Sequence, residues 1–118
     1  MRAVNKADSD YTVLSFGTES VRVKVSDMRY LEAAEHVITV HFKDGEPFKM
    51  RKSLSAPETE LLPAPHYFIR VNNYTLVNPK YVTRTDGQEI WLGDDVLTVS
   101  RARRKLVMEK LTEYMGKR

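Results

Sequence analysis

Cysteine is absent from this 118-residue chain. Neither a disulfide framework, nor a thiolate zinc site, nor a cysteine nucleophile can therefore be built from it, and the composition is compatible with a reducing cytoplasm, where the chain is expected to work. Glycine is scarce as well. Its five residues are scattered singly, which leaves no glycine-rich loop to cradle a phosphate. Histidine is limited to His36, His41 and His66; His36 and His41, five apart in one expected strand, would face opposite ways, which argues against a shared metal. No apolar run approaches the roughly 18 to 20 residues that span a bilayer, and no basic flank with an apolar stretch opens the chain. Serines and acids are plentiful, but no nucleophile elbow or other catalytic signature organises them. The chain is read as non-enzymatic, with no metal and no cofactor.

What is present begins with an uneven distribution of charge. From Ser100 onward seven basic residues face two acidic ones, giving +5, whereas residues 1–99 hold 12 basic and 14 acidic residues, giving −2. A basic end on a nearly neutral body suits a surface that meets a polyanion. A solvated helix face that keeps the protein soluble explains the same asymmetry, and on charge alone that account has the edge.

The length predicts one domain. Residues 1–10 are polar and read as a flexible start or linker, and residues 11–118 as a single domain. From Tyr11 the chain consists of short runs rich in β-branched and aromatic residues, predicting strands at Tyr11–Phe16, Ser20–Val25, Met28–Ala33, His36–Phe42 and Phe48–Lys52. Gly17 and the Asp44-Gly45 pair mark turns. Ser55 to Glu58 reads as a capping box opening a short helix through Leu62, which Pro63 and Pro65 stop. Strand character returns at Tyr67–Asn72, Thr75–Val77, Tyr81–Thr85, Glu89–Leu92 and Val96–Val99, with turns at Asp86-Gly87 and Gly93-Asp94. Ser100 is the expected N-cap of one ordinary helix with Ala102, Leu106, Leu111, Tyr114 and Met115 on its apolar side, ended by Gly116. A single helix at the C-terminal end excludes a helix-turn-helix reader.

The stretch from Phe68 to Asn78 is unusual for a strand region, since it places Asn72, Asn73 and Asn78 among core-type residues. Asparagine offers the backbone competing hydrogen bonds and is costly there. Turn conformations or satisfied backbone groups would offset that cost. So would recognition, because an asparagine amide pairs with N6 and N7 of adenine. For Asn73 both accounts stand; for Asn78 the structural one is favoured. Tyr67, Tyr74 and Trp91 form no stripe of rings for stacking single-stranded bases and are read as core or packing residues.

Four segments in order, Tyr30 to Ala33, Arg51 to Leu54, Phe68 to Asn78 and Val99 to Arg101 before a basic helix, resemble the LytTR family of DNA-binding domains, over about Val21 to Lys110. The resemblance implies a mainly β, elongated fold of about ten short strands in several small sheets, with a short middle helix and a C-terminal one. It implies sequence-specific binding of double-stranded DNA by the output domain of a bacterial transcription regulator, with loops inserted into successive major grooves. Two copies on a direct-repeat operator are implied, as is a receiver domain or membrane segment upstream in a longer chain.

Carried over by position, base contacts fall to His36, Asn73 and Arg101. Each is chemically suited: arginine takes guanine O6 and N7, and histidine donates or accepts at a base edge. Arg101 also stands at a helix N-terminus, electrostatically the wrong end for a cation. Backbone contacts are assigned to Asn72, Lys52, Lys80, Arg84, Arg103, Arg104 and Lys105. The family commonly has His, a polar or basic residue and Ser where this chain has Asn72, Asn73 and Tyr74, which implies a loop reading different bases or posing its asparagine differently. A β-rich protein-interaction domain is the alternative.

Overall fold

The computed structural model describes residues 11–50 and 68–116. Strands β1 (Tyr11–Phe16) and β2 (Glu19–Lys24) form a hairpin around Gly17, whose φ of 64° is the left-handed conformation glycine tolerates. A five-stranded antiparallel sheet follows, from β3 (Met28–Ala34), β4 (Val37–Phe42), β5 (Phe48–Met50), β6 (Ile69–Asn72) and β7 (Thr75–Val77), in the order β5-β4-β3-β7-β6. Strands β8 (Arg84–Thr85), β9 (Glu89–Leu92) and β10 (Asp95–Thr98) make a second antiparallel sheet, and helix α1 spans Arg104–Gly116. The expected strands are thus present, with shifts of one residue at β2 and at the end of β3, a later start of β6 at Ile69, and three further changes. Pro79–Tyr81 is a 3-10 turn, so that strand starts at Arg84 rather than Tyr81; His36 precedes β4; and β10 begins and ends one residue early. Residues 51 and 52, Tyr67 and the short helix expected from Ser55 lie outside the described residues.

The central sheet is the middle layer of three. Leu31 and Leu76 project to one side, into a core with Leu14, Val25, Ile38, Val40 and Met50; Tyr30 and Val77 project to the other, into a core with Ile90, Leu92, Val99, Val107 and Leu111. A strand buried on both faces cannot alternate apolar with polar, which explains the consecutive Tyr30-Leu31 and Leu76-Val77 pairs. Met28 and Tyr30 would share a face at strand periodicity, yet they enter different cores. The register shift between them against β4 supplies the change of side.

Helix α1 packs along β6. Its buried residues are Val107 and Leu111, flanked by half-buried Arg104, Met108 and Tyr114. The expected apolar side is therefore corrected: of its five residues only Leu111 is buried, while Leu106 and Met115 are 53% and 42% exposed. The true face runs through 104, 107, 108, 111 and 114, a rotation toward the valine that the expected pattern omitted. Burying Val107 and Leu111 contributes about 1.5 to 3 kcal/mol each.

Candidate nucleic-acid interface

Three chain reversals meet at one end of the central sheet. The first joins β3 to β4 through Glu35 and His36, which carry φ values of 52° and 67°. Two consecutive residues with positive φ describe the type I′ turn favoured by strand twist, but that turn ordinarily recruits Asn-Gly or Asp-Gly. Side chains larger than glycine's are strained there, and such strain gathers at functional positions. His36 is accordingly corrected from a strand residue to an exposed turn tip. His41, on β4, is engaged elsewhere: its ring stacks on Tyr30 with centroids 4.3 Å apart and its Nε2 lies 2.7 Å from Glu32 Oε2.

The second reversal, Asn73-Tyr74, joins β6 to β7 without a positive φ at any asparagine, so left-handed tolerance is not what Asn72 and Asn73 provide. Asn72 does the local work. Its Oδ1 accepts from Tyr74 N at 2.8 Å, and its Nδ2 donates to Thr98 O at 2.7 Å. Arg70 Nη1 donates to Asn73 O at 3.1 Å. Asn73 itself is exposed, and its side-chain amide takes no hydrogen bond among the described residues. A register shift against β7 leaves Val71 as the extra residue of β6, and its carbonyl accepts from Ser100 N at 2.9 Å.

The third reversal is the corner between β10 and α1. Ser100 holds it with main-chain groups: beyond the bond to Val71, its carbonyl accepts from Arg103 N at 3.1 Å. Ser100 thus occupies the expected N-cap position, ahead of a 3-10 turn, but its hydroxyl makes no cap hydrogen bond. Arg101–Arg103 winds as a 3-10 turn before α1 begins. Arg101 and Lys105 are exposed, Arg103 and Arg104 half-buried. Arg104 Nε is shut off from solvent without a hydrogen-bond partner among the described residues.

Main-chain bonds tie the reversals together. Ala33 N donates to Tyr74 O at 2.8 Å, setting the His36 turn beside the Asn73 turn. Asn72 and Ser100 set the Asn73 turn beside Arg101. An open groove separates the second and third, with Asn72, Asn73 and Tyr74 on one wall and Ser100, Ala102, Arg103 and Leu106 on the other.

Lys80 is not brought to this end. Asn78 Nδ2 donates to Met28 O at 2.9 Å and its Oδ1 accepts from Lys80 N at 3.0 Å, placing Lys80 near the start of β3. The tips lie at the other end of that strand, about 20 Å away at strand rise. Arg84, on β8, lies 4.2 Å above the Trp91 ring. Lys52 lies outside the described residues.

The reading of Tyr74 as a core or packing residue is corrected, since it is 64% exposed. Its place in the Asn-Asn-Tyr turn was the available signal, because a turn tip has no core to enter. Trp91 is half-buried beneath Arg84. Among the described residues no group of histidines and carboxylates is arranged to hold a metal ion, and no helix is long and apolar enough to cross a membrane.

A family model described as the LytTr DNA-binding domain matches residues 18–112. Among solved structures, the chain is similar to the LytTr DNA-binding domain of a putative methyl-accepting/DNA response regulator from Bacillus cereus. The two are 22% identical, with a TM-score of 0.62 over 91% of this chain and 97% of that one. At that identity the likeness speaks for a shared fold. No curated protein matches the chain.

Proposed function

The chain belongs to the family of LytTr DNA-binding domains, which bind DNA in transcription regulators, and from that premise we propose that it reads duplex DNA through the three reversals at one end of its central sheet. The observation that carries this reading is the convergence of His36, Asn73 and Arg101 through the bonds Ala33 N to Tyr74 O, Asn72 Nδ2 to Thr98 O and Ser100 N to Val71 O. Polar side chains exposed on a bonded main-chain frame keep their hydrogen-bonding capacity for a ligand while losing little conformational freedom on binding.

In this reading Asn73 pairs with adenine N6 and N7, Arg101 takes guanine O6 and N7, and His36 reaches a base edge or phosphate. Arg103, Arg104 and Lys105 supply phosphate contacts and salt dependence. Asn72, its amide already engaged within the fold, acts by positioning its neighbours. Lys80, remote from the tips, would meet DNA only if it bent along the molecule, while Arg84 adds a phosphate contact from the three-stranded sheet. Two copies on a direct repeat, a receiver domain or membrane segment upstream in a longer chain and a cytoplasmic setting complete the proposal. The similar Bacillus cereus domain, from a putative response regulator, supports that context. A stacking platform for single strands is disfavoured, because among the described residues Tyr74 is the one aromatic in the set of exposed large apolar side chains.

Selection from randomised duplexes over a salt titration tests the proposal. Enrichment of a repeated motif, relaxed at one base by Asn73→Ala and at another by Arg101→Ala, is the expected result. Binding without enrichment that fades with salt alike for all three proteins would overturn it and favour a protein-interaction domain.

A further inference from the structure

Among the described residues, Tyr74 is the one aromatic in the set of large apolar side chains that the fold leaves well exposed. It is not a loose end, because the main chain on both sides of its ring is fixed: its N–H donates to Asn72 Oδ1 and its carbonyl accepts from Ala33 N, each at 2.8 Å. Across the groove stand Ala102 and Leu106, the latter 53% exposed on the first turn of α1. The core does not use Leu106, since Val107 and Leu111 anchor the helix. Two apolar side chains on separate elements therefore line one solvent-filled groove, where their exposure costs stability that an occupant would recover.

The surroundings specify that occupant. Asn73 lies on one wall, and Arg103 on the other, with the exposed cations Arg101 and Lys105 beside it. An apolar peptide gains nothing from such a rim, whereas a polyanion does. In a duplex major groove, the apolar group displayed on a base edge is the C5-methyl of thymine. Resting on the DNA-binding reading above, we infer that Tyr74, with Leu106 opposite, is a specificity-determining residue that packs on a thymine methyl within a base pair or two of the base met by Asn73. The tyrosine adds a preference for thymine that the three polar contacts do not supply, and the sequence read through this groove is longer than the hydrogen-bonding residues alone would give.

Replacing thymine by deoxyuridine removes the methyl and leaves pairing intact, so it isolates this contact. The duplex selected by the natural chain is rebuilt with one deoxyuridine at a time and titrated against the natural protein, Tyr74→Phe, Tyr74→Ala and Leu106→Ala. At one thymine the natural protein loses about fourfold in affinity, the equivalent of one buried methyl. Tyr74→Phe keeps that penalty, Tyr74→Ala abolishes it and Leu106→Ala reduces it. Thermal unfolding of the variants confirms that they are folded. A selected motif without a methyl-sensitive thymine, or a penalty unchanged in Tyr74→Ala, overturns the inference while leaving the DNA-binding reading intact. Failure to select any motif overturns both.

Discussion

The two ends of the central sheet spend similar residues in opposite ways. At the start of β3, Asn78 is buried with both amide atoms bonded within the fold, and Arg29 donates to Leu92 O at 2.8 Å and to Asp95 Oδ2 at 2.6 Å. At the other end Asn73 and Arg101 are exposed, and their side chains take no partner among the described residues. Chemistry that joins layers at one end is held outward at the other. Residue type alone therefore does not announce a recognition role. What distinguishes Asn73 from Asn78 is whether backbone groups lie within reach to consume the amide.

The most forceful way to break the comparison is to exchange which property each end loses. Asn78→Ala strands Met28 O and Lys80 N and is expected to cost about 2 to 3 kcal/mol of stability, a fall of about 10 °C in Tm by calorimetry. Its DNA motif, measured below the new transition, stays unchanged. Arg101→Ala should do the reverse: melting is preserved, while affinity for the selected duplex drops about 5- to 150-fold. If both variants lowered Tm equally, the division between the two ends would not hold.

Asn72 crosses the division, since it is a fold-directed asparagine inside the recognition end. Asn72→Ala is expected to cost about 1 kcal/mol for the bonds to Tyr74 N and Thr98 O. It should also loosen the Asn73 turn, so affinity falls several-fold with base preference weakened most at the Asn73 position. Binding titrations and melting curves on the same variant separate the two effects.

A smaller change sharpens the contrast at the first turn. Replacing Glu35-His36 by Asn-Gly relieves two strained residues and should raise stability by up to about 1 kcal/mol, while affinity for the selected duplex declines with loss of the imidazole. Denaturant unfolding with a parallel binding assay checks for that opposite movement.

The smallest expected effect is electrostatic. Main-chain N–H groups of Gln88 and Glu89, each 2.9 Å from Asp86 Oδ1, hold the Asp86 carboxyl below its ordinary value of 3.8. A lowered folded-state value means a contribution present above that ordinary value and lost as pH falls through the folded one. Asp86→Ala should therefore melt below the natural protein at neutral pH, with the gap closing in strong acid.

Much of this layout was legible in the chain itself. Glycines at Gly17, Gly45, Gly87 and Gly93 all adopt positive φ between strands or at their ends, because turn chemistry is local and needs no partner. Asn78 was legible as structural through its local bond from Lys80 N, whereas its bond to Met28 O depends on a distant strand. The face of α1 was not: choosing between Leu106 and Val107 depends on where β6 lies, a fact about distant residues. His36 escaped because Glu35-His36 lacks the usual turn residues, and tertiary pairing of Ala34 with Val37 imposes the conformation regardless. Tyr74 escaped because tyrosine is a common core residue, although its place between the strands ending at Asn72 and starting at Thr75 already marked a turn tip.

The hydrogen bonds that hold the reversals together have one further consequence. The links from Ala33 N to Tyr74 O and from Ser100 N to Val71 O are made by backbone atoms alone, so they do not depend on the side chains carried at the tips. Side chains at 36, 73, 74 and 101 can thus be replaced without moving the tips that carry them, and the fold works like a set of calipers with interchangeable points. Over evolutionary time the letters read can drift freely, while the distance between them changes only if the sheet itself is rebuilt.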